Sequence, residues 1–185
     1  EKEDMRGWVT AEYSLLPTST STRCQRERSK VSGRTQEIQR LIGRALRSCV
    51  DLEKLGERTI IIDADVIQAD GGTRCASICG GFVALSIAIN KLIKEGKLEQ
   101  SPIIEPIAAV SAGIYDGEVI LDLNYIEDSH AQVDSNAVMT QSGKVIEFQT
   151  TAEGAPYDIE KMNEIVELSK DAIKKIISLY PNTEV

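Results

Sequence analysis

Polar and apolar residues alternate along residues 7–15: Trp8, Thr10, Glu12 and Ser14 fall on one side of an extended chain, Val9, Ala11, Tyr13 and Leu15 on the other. A period of two predicts a half-buried strand, ended by Pro17. Residues 18–33 are rich in Ser, Thr and Arg and nearly free of apolar side chains, which predicts an exposed loop. The period then changes. Ile38, Leu41, Ile42, Ala45, Leu46, Cys49 and Val50 recur at helical spacing with Arg40, Arg44 and Arg47 mostly opposite, and Gly56 closes the turn that follows. A second strand is expected over residues 59–67, then the turn Asp70-Gly71-Gly72. From about residue 73 to 94 the apolar stripe is too broad for a surface helix and suits a buried one. Asp116-Gly117 joins strands expected at 107–115 and 118–126, and residues 141–144 join a second hairpin of 136–140 with 145–151. Asp158 opens a last helix whose apolar period runs from Ile159 to Tyr180 and stops at Pro181. This order lacks the strand-helix alternation of a doubly wound sheet. It implies an α+β fold, a mixed sheet packed with helices, in a single domain over residues 1–185.

Composition narrows the class. A chain of 185 residues, 42% hydrophobic and 27% charged, suits a globular domain with a sizeable core. No apolar run in the sequence approaches the roughly 20 residues that cross a bilayer, and the acidic opening is unlike a signal peptide, so the expectation is a cytoplasmic protein with no membrane partner. Cys24, Cys49, Cys75 and Cys79 include no CxxC pair, and His130 is the single histidine. Zinc and redox motifs therefore find no support, and the cysteines are read as reduced.

The net charge of −8 argues against a polyanion partner until its distribution is considered. Between residues 23 and 47 the chain carries Arg23, Arg26, Arg28, Lys30, Arg34, Arg40, Arg44 and Arg47 against only Glu27 and Glu37. This basic segment is a candidate polyanion contact or, equally, a solvated helix face.

Two motifs carry candidate chemistry. Asp70-Gly71-Gly72-Thr73-Arg74 stands between a strand and a long helix. Glycines admit a ligand close to the backbone, and free amides at a helix N-terminus attract an anion. Arg74 in the first turn opposes the helix dipole unless an anion bridges both. The alternative is an ordinary turn capped by Thr73, with Arg74 in solvent. The second motif is Asp122 and Asp128. On a straight strand they would lie roughly 20 Å apart. They converge only if the chain bends after about Tyr125, and convergent carboxylates suit Mg²⁺, or a metal and a general acid.

Together these segments resemble the bacterial ribonuclease PH family. The resemblance rests on residues 7–13 (GWVTAEY), 32–44 (SGRTQEIQRLIGR), 63–74 (DADVIQADGGTR), 121–129 (LDLNYIEDS) and 151–154 (TAEG), in order. It implies a fold like the second domain of ribosomal protein S5 and a phosphorolytic 3′-to-5′ exoribonuclease that trims tRNA precursors. Inorganic phosphate would be the co-substrate and Mg²⁺ the cofactor, in a hexameric ring of dimers. Carried over by position, Arg34, Gly72, Thr73 and Arg74 bind phosphate, and Arg23 and Arg26 contact RNA. By the same resemblance Asp122 and Asp128 would hold Mg²⁺ or protonate the departing 3′ oxygen. Three departures stand out: Thr18 occupies a position where the family has arginine, the loop between Glu27 and Gly33 is shorter, and the family's N-terminal stretch has no counterpart before Gly7. They leave a rival reading, a non-catalytic RNA-binding ring subunit or an inactive fragment.

Overall fold

The computed structural model describes residues 6–27 and 29–181. Strand β1 (Trp8–Leu15) leads through the loop to helix α1 (Gly33–Ser48), the short α2 (Leu52–Leu55) and strand β2 (Thr59–Val66). Helix α3 (Thr73–Lys94), the hairpin β3 (Ile107–Tyr115) and β4 (Glu118–Leu121), and helix α4 (Tyr125–His130) follow. The hairpin β5 (Val133–Thr140) and β6 (Val145–Ala152) and helix α5 (Ile159–Ser178) complete the chain.

The expected mixture of strand directions is distributed over two sheets. β1 and β2 pair in parallel, from Trp8 opposite Thr59 to Leu15 opposite Val66. The other four strands form an antiparallel sheet in the order β4-β3-β5-β6. In this second sheet α3 packs on one face of β3 and α5 on the other, which leaves β3 buried along nearly its whole length. One apolar core runs from Val9 and Tyr13 through Ile38, Leu41 and Phe82 to Ile107 and Val138, joining both sheets through α1 and α3.

By length and composition α3 would pass for a membrane span, contrary to the expectation that no segment approaches one. Its packing gives another reason for that composition. Ile78, Phe82, Leu85 and Ile89 are fully buried against the two sheets, each worth about 1.5–3 kcal/mol in transfer from water, while Ala76, Gly80, Ala84 and Ile87 on the opposite face are exposed. Its buried face is apolar because it is core.

Two boundaries differ from expectation. β4 stops at Leu121, five residues early, because Asp122 adopts a positive φ of 54° and turns the chain out of the strand. Residues 125–130 are helical. Their helix is held by a capping box in which the Asn124 side chain accepts from the Ile126 and Glu127 amides while Glu127 accepts from the Asn124 amide. The chain therefore bends at Asp122 itself, before the point after Tyr125 where the sequence placed the bend.

Candidate active site

The site forms where the first turns of α1 and α3 meet the bend after β4. Gly71 and Gly72 are glycines for different reasons. A Cβ on Gly71 would lie 1.9 Å from the Leu123 carbonyl oxygen, so the turn presses against the bend backbone to backbone. Gly72 has φ 69°, a left-handed conformation that side chains disfavour. Asp70 ties the two segments together: its Oδ1 accepts from the Gly71 amide at 2.9 Å and from the Tyr125 amide. The turn and the acidic bend are one rigid unit.

On that unit Thr73 opens α3 with its Oγ1 2.9 Å from the Tyr13 hydroxyl of β1. Arg74 is not in solvent, as the ordinary-turn alternative had it. Its side chain is 23% exposed and its Nη1 lies 3.5 Å from Glu37 Oε2 of α1 and 3.5 Å from Gln149 Oε1 of β6. Gln149 in turn donates to Glu147, which pairs with Arg44. Arg34, in the first turn of α1, is exposed and lines a cavity of about 620 Å³ with Thr73, Asp70, Arg23, Tyr125 and Ile126. Neither α1 nor α3 has an acidic residue in its first turn, and each carries an arginine as its second residue. An anion between them resolves both unfavourable placements.

The carboxylates approach from the other side. Asp122 is exposed, and its Oδ1 lies 3.8 Å from the place a Cβ on Gly72 would occupy. Beside it the Ser111 hydroxyl is buried and has no hydrogen-bond partner, 3.1 Å from the same point. A buried hydroxyl aimed at an anion turn is a ready donor to a ligand. Asp128, partly buried on α4, sits near enough to Asp134 to raise its pKa. Asp134 is the group that sequence reasoning missed. Burial first, then the neighbouring Asp128 charge, holds its carboxyl above the usual range, with Arg74 pulling the other way. Asp134 and Asn136 share the face of β5 that meets α3, where the Cys75 thiol donates to Asn136 Oδ1 at 3.3 Å. Two polar residues at alternate positions of a buried strand were the available signal.

The donor set fits Mg²⁺. Asp122 and Asp128 offer hard oxygens, and Arg74 partly offsets the crowded charge of Asp128 and Asp134. Among the described residues no three His, Cys, Asp or Glu side chains are arranged to hold a metal ion. One or two carboxylates with retained water are what Mg²⁺ ordinarily takes, and zinc is not.

Of the basic segment, Arg23 reaches the cavity, Arg26 is exposed but does not line it, and Arg28 lies outside the described residues. The cysteines are free, as expected. Burial pushes Cys49 up to about 12 and raises Cys75 and Cys79 as well, so these three are not reactive thiolates. His130 is exposed at the end of α4 with its Nδ1 against Ser129 and the Ile126 carbonyl.

Comparison with known proteins converges on the same family. The family model for domain 1 of the 3′ exoribonuclease family matches residues 1–89 and that for domain 2 matches residues 105–172. The chain is 58% identical over 179 residues to ribonuclease PH of Neisseria gonorrhoeae, covering 96% of this chain and 74% of the relative. It is 57% identical over 174 residues to ribonuclease PH of Crocosphaera subtropica, covering 94% and 72%. Among solved structures, rice (Oryza sativa) Rrp46 superposes with a TM-score of 0.73 at 18% identity, over 99% of this chain and 76% of that one. The Archaeoglobus fulgidus exosome with RNA bound to the active site gives 0.74 at 19% identity, over 96% and 72%. The two structures establish the α+β fold, and the sequence matches go further: the chain belongs to the ribonuclease PH family of phosphate-dependent 3′ exoribonucleases.

Proposed function

We propose that this chain removes nucleotides from the 3′ ends of tRNA precursors by phosphorolysis, in the cytoplasm and as part of a hexameric ring of dimers. The observations that carry the reading are that Thr73 and Arg34 line one cavity, that Asp122 lies beside the Gly72 turn, and that Arg74 and Asp128 both act on Asp134. Family membership supports the ring and the tRNA substrate. A core shared by both sheets supports reading residues 1–185 as a single domain, although the family models divide it in two.

Phosphate binds against the Gly72 and Thr73 turn, oriented by Arg74, with Arg34 supplying charge from α1. Its oxygen attacks the phosphorus of the terminal phosphodiester. The P–O3′ bond breaks, and its electron pair leaves on the 3′ oxygen of the penultimate nucleotide, which takes a proton. The product is a nucleoside 5′-diphosphate. Asp134 is the residue suited to hold that proton, because burial and Asp128 favour its neutral form. When bound, Mg²⁺ would be held by Asp122 and Asp128 and would supply Lewis-acid charge to the phosphoryl oxygens. Arg23 and Arg26 contribute phosphate-backbone contacts to RNA.

The test is incubation of the chain with a 3′-extended RNA and Mg²⁺, with and without inorganic phosphate, followed by chromatography of the released nucleotides. Nucleoside diphosphates formed only with phosphate are expected. Nucleoside monophosphates formed without it would overturn phosphorolysis, and bound RNA with no release would favour a non-catalytic ring subunit.

A further inference from the structure

Tyr125 and Ile126 have no packing role that accounts for them. They are 68% and 67% exposed, side by side at the start of α4. They line the same cavity of about 620 Å³ that Arg23, Arg34, Asp70 and Thr73 line, a volume in the range that holds a small ligand. The backbone beneath them is fixed. Leu123 is buried, the Asn124 capping box secures the helix start, and the Tyr125 amide is bound by Asp70. Through the Asp70 carboxylate, which also takes the Gly71 amide, the Tyr125 backbone is tied to the Gly71–Arg74 turn. A side chain that is free while its backbone is locked, one turn away from an anion site, is placed to receive a flat group.

We infer that Tyr125, flanked by Ile126, is the platform on which the 3′-terminal nucleobase of the RNA stacks while its phosphodiester lies at the Gly72–Arg74 turn. This rests on the exoribonuclease reading and specifies how that reaction holds its substrate. Every base has a π-face, so stacking tolerates sequence. An enzyme that removes successive nucleotides of any identity needs such a contact, and a tyrosine ring meets that need without reading base edges.

The test compares the full chain with Tyr125→Ala and Tyr125→Phe on two RNAs of the same length, one intact and one with an abasic 3′-terminal ribose. Affinity is read by fluorescence anisotropy and turnover by diphosphate release. Tyr125→Ala is expected to weaken binding of intact RNA about five-fold or more and to raise its KM in step, with the KM for phosphate unchanged. Tyr125→Phe should behave as the parent. On abasic RNA the parent and Tyr125→Ala should bind alike, a result that a merely structural role for the ring would not give. Equal affinity of the parent and Tyr125→Ala for intact RNA would overturn the inference, as would a penalty that persists undiminished on abasic RNA. Should the parent bind RNA but release no diphosphate, the reaction is overturned, and the binding comparison still decides the platform.

Discussion

Arg74 and Arg34 are each the second residue of a helix that has no acid in its first turn, yet the two guanidinium groups are held differently. Arg74 is mostly covered and fixed between Glu37 and Gln149, the second of which leans on Glu147 and, through it, on Arg44. Arg34 is exposed and makes no hydrogen bond or ion pair among the described residues. Arg23, across the cavity, is exposed in the same way. One wall of the cleft is therefore built before any ligand arrives, and the other is left to the ligand. A preorganised cation suits a small anion that must stand at one attack angle. Exposed, unpaired cations suit a polymer whose phosphates arrive in many registers and whose binding is mainly counterion release.

The fixed wall should fail hardest when its chemistry is removed. Asp134→Asn keeps the shape and loses the proton site, so turnover should fall by roughly 10²–10⁴-fold. The same change should stabilise the fold, and the pH dependence follows from the sign of the shift. A carboxyl whose folded pKa is raised binds its proton more readily when folded. The parent therefore loses stability as pH rises from the ordinary value of 3.8 through the raised one. The melting temperature of Asp134→Asn should match the parent near pH 3, exceed it as pH rises through the ordinary carboxylate value, and hold a constant lead above the raised pKa. A difference that shrinks with rising pH would show that the Asp134 pKa is not raised by folding. Next in size, Arg74→Ala should lower kcat/KM for phosphate by roughly 10- to 150-fold, the loss of a charged hydrogen bond of about 1.5–3 kcal/mol. Arg74→Lys should not restore it, because a lysine cannot span Glu37, Gln149 and a phosphate with one planar group.

How much of this was legible in the sequence depends on the range of the interaction. Strand alternation in residues 7–15 and the helical period from Ile38 onward are local, and β1, α1, β2, α3 and α5 lie close to where the patterns place them. The Gly72-Thr73-Arg74 turn was legible for the same reason, since a helix start is a local object. Strand order was not. The two hairpin signals encode β3 with β4 and β5 with β6, but neither encodes the pairing of β3 with β5 that joins the hairpins into one sheet. Asp122 looked like a strand residue because its left-handed backbone is imposed by the turn at Gly71 and Gly72 packing against the bend, a contact some fifty positions away in the chain. Asp134 escaped because its chemistry comes from burial and from Asp128 and Arg74, none of which its sequence neighbours reveal.

Glu37 lets the difference between the walls be tested without touching a ligand contact. Glu37→Gln removes the charge that holds Arg74 while Gln149 remains, so Arg74 should come to resemble Arg34, present but unfixed. Partly exposed ion pairs are worth about 0.2–1 kcal/mol, and the rise in the KM for phosphate should stay within about five-fold. Affinity for RNA should be unmoved, which separates this effect from a general disturbance of α1.

The smallest effects belong to the open wall. Arg23→Ala and Arg26→Ala should each weaken RNA binding only a few-fold at moderate salt, since a solvated phosphate contact carries little net energy. Their signature is in the slope. Each arginine that meets a phosphate displaces roughly one counterion, so each substitution should flatten the dependence of log affinity on log salt by about one. Phosphate KM should not change for either. Arg23 lines the cavity and Arg26 does not, so shortening the RNA towards the few nucleotides that the cavity and its rim can engage should abolish the Arg26 contribution before that of Arg23. If both contributions vanish at the same length, the two arginines grip the same phosphate, and the open wall is a single contact point rather than a track for the polymer.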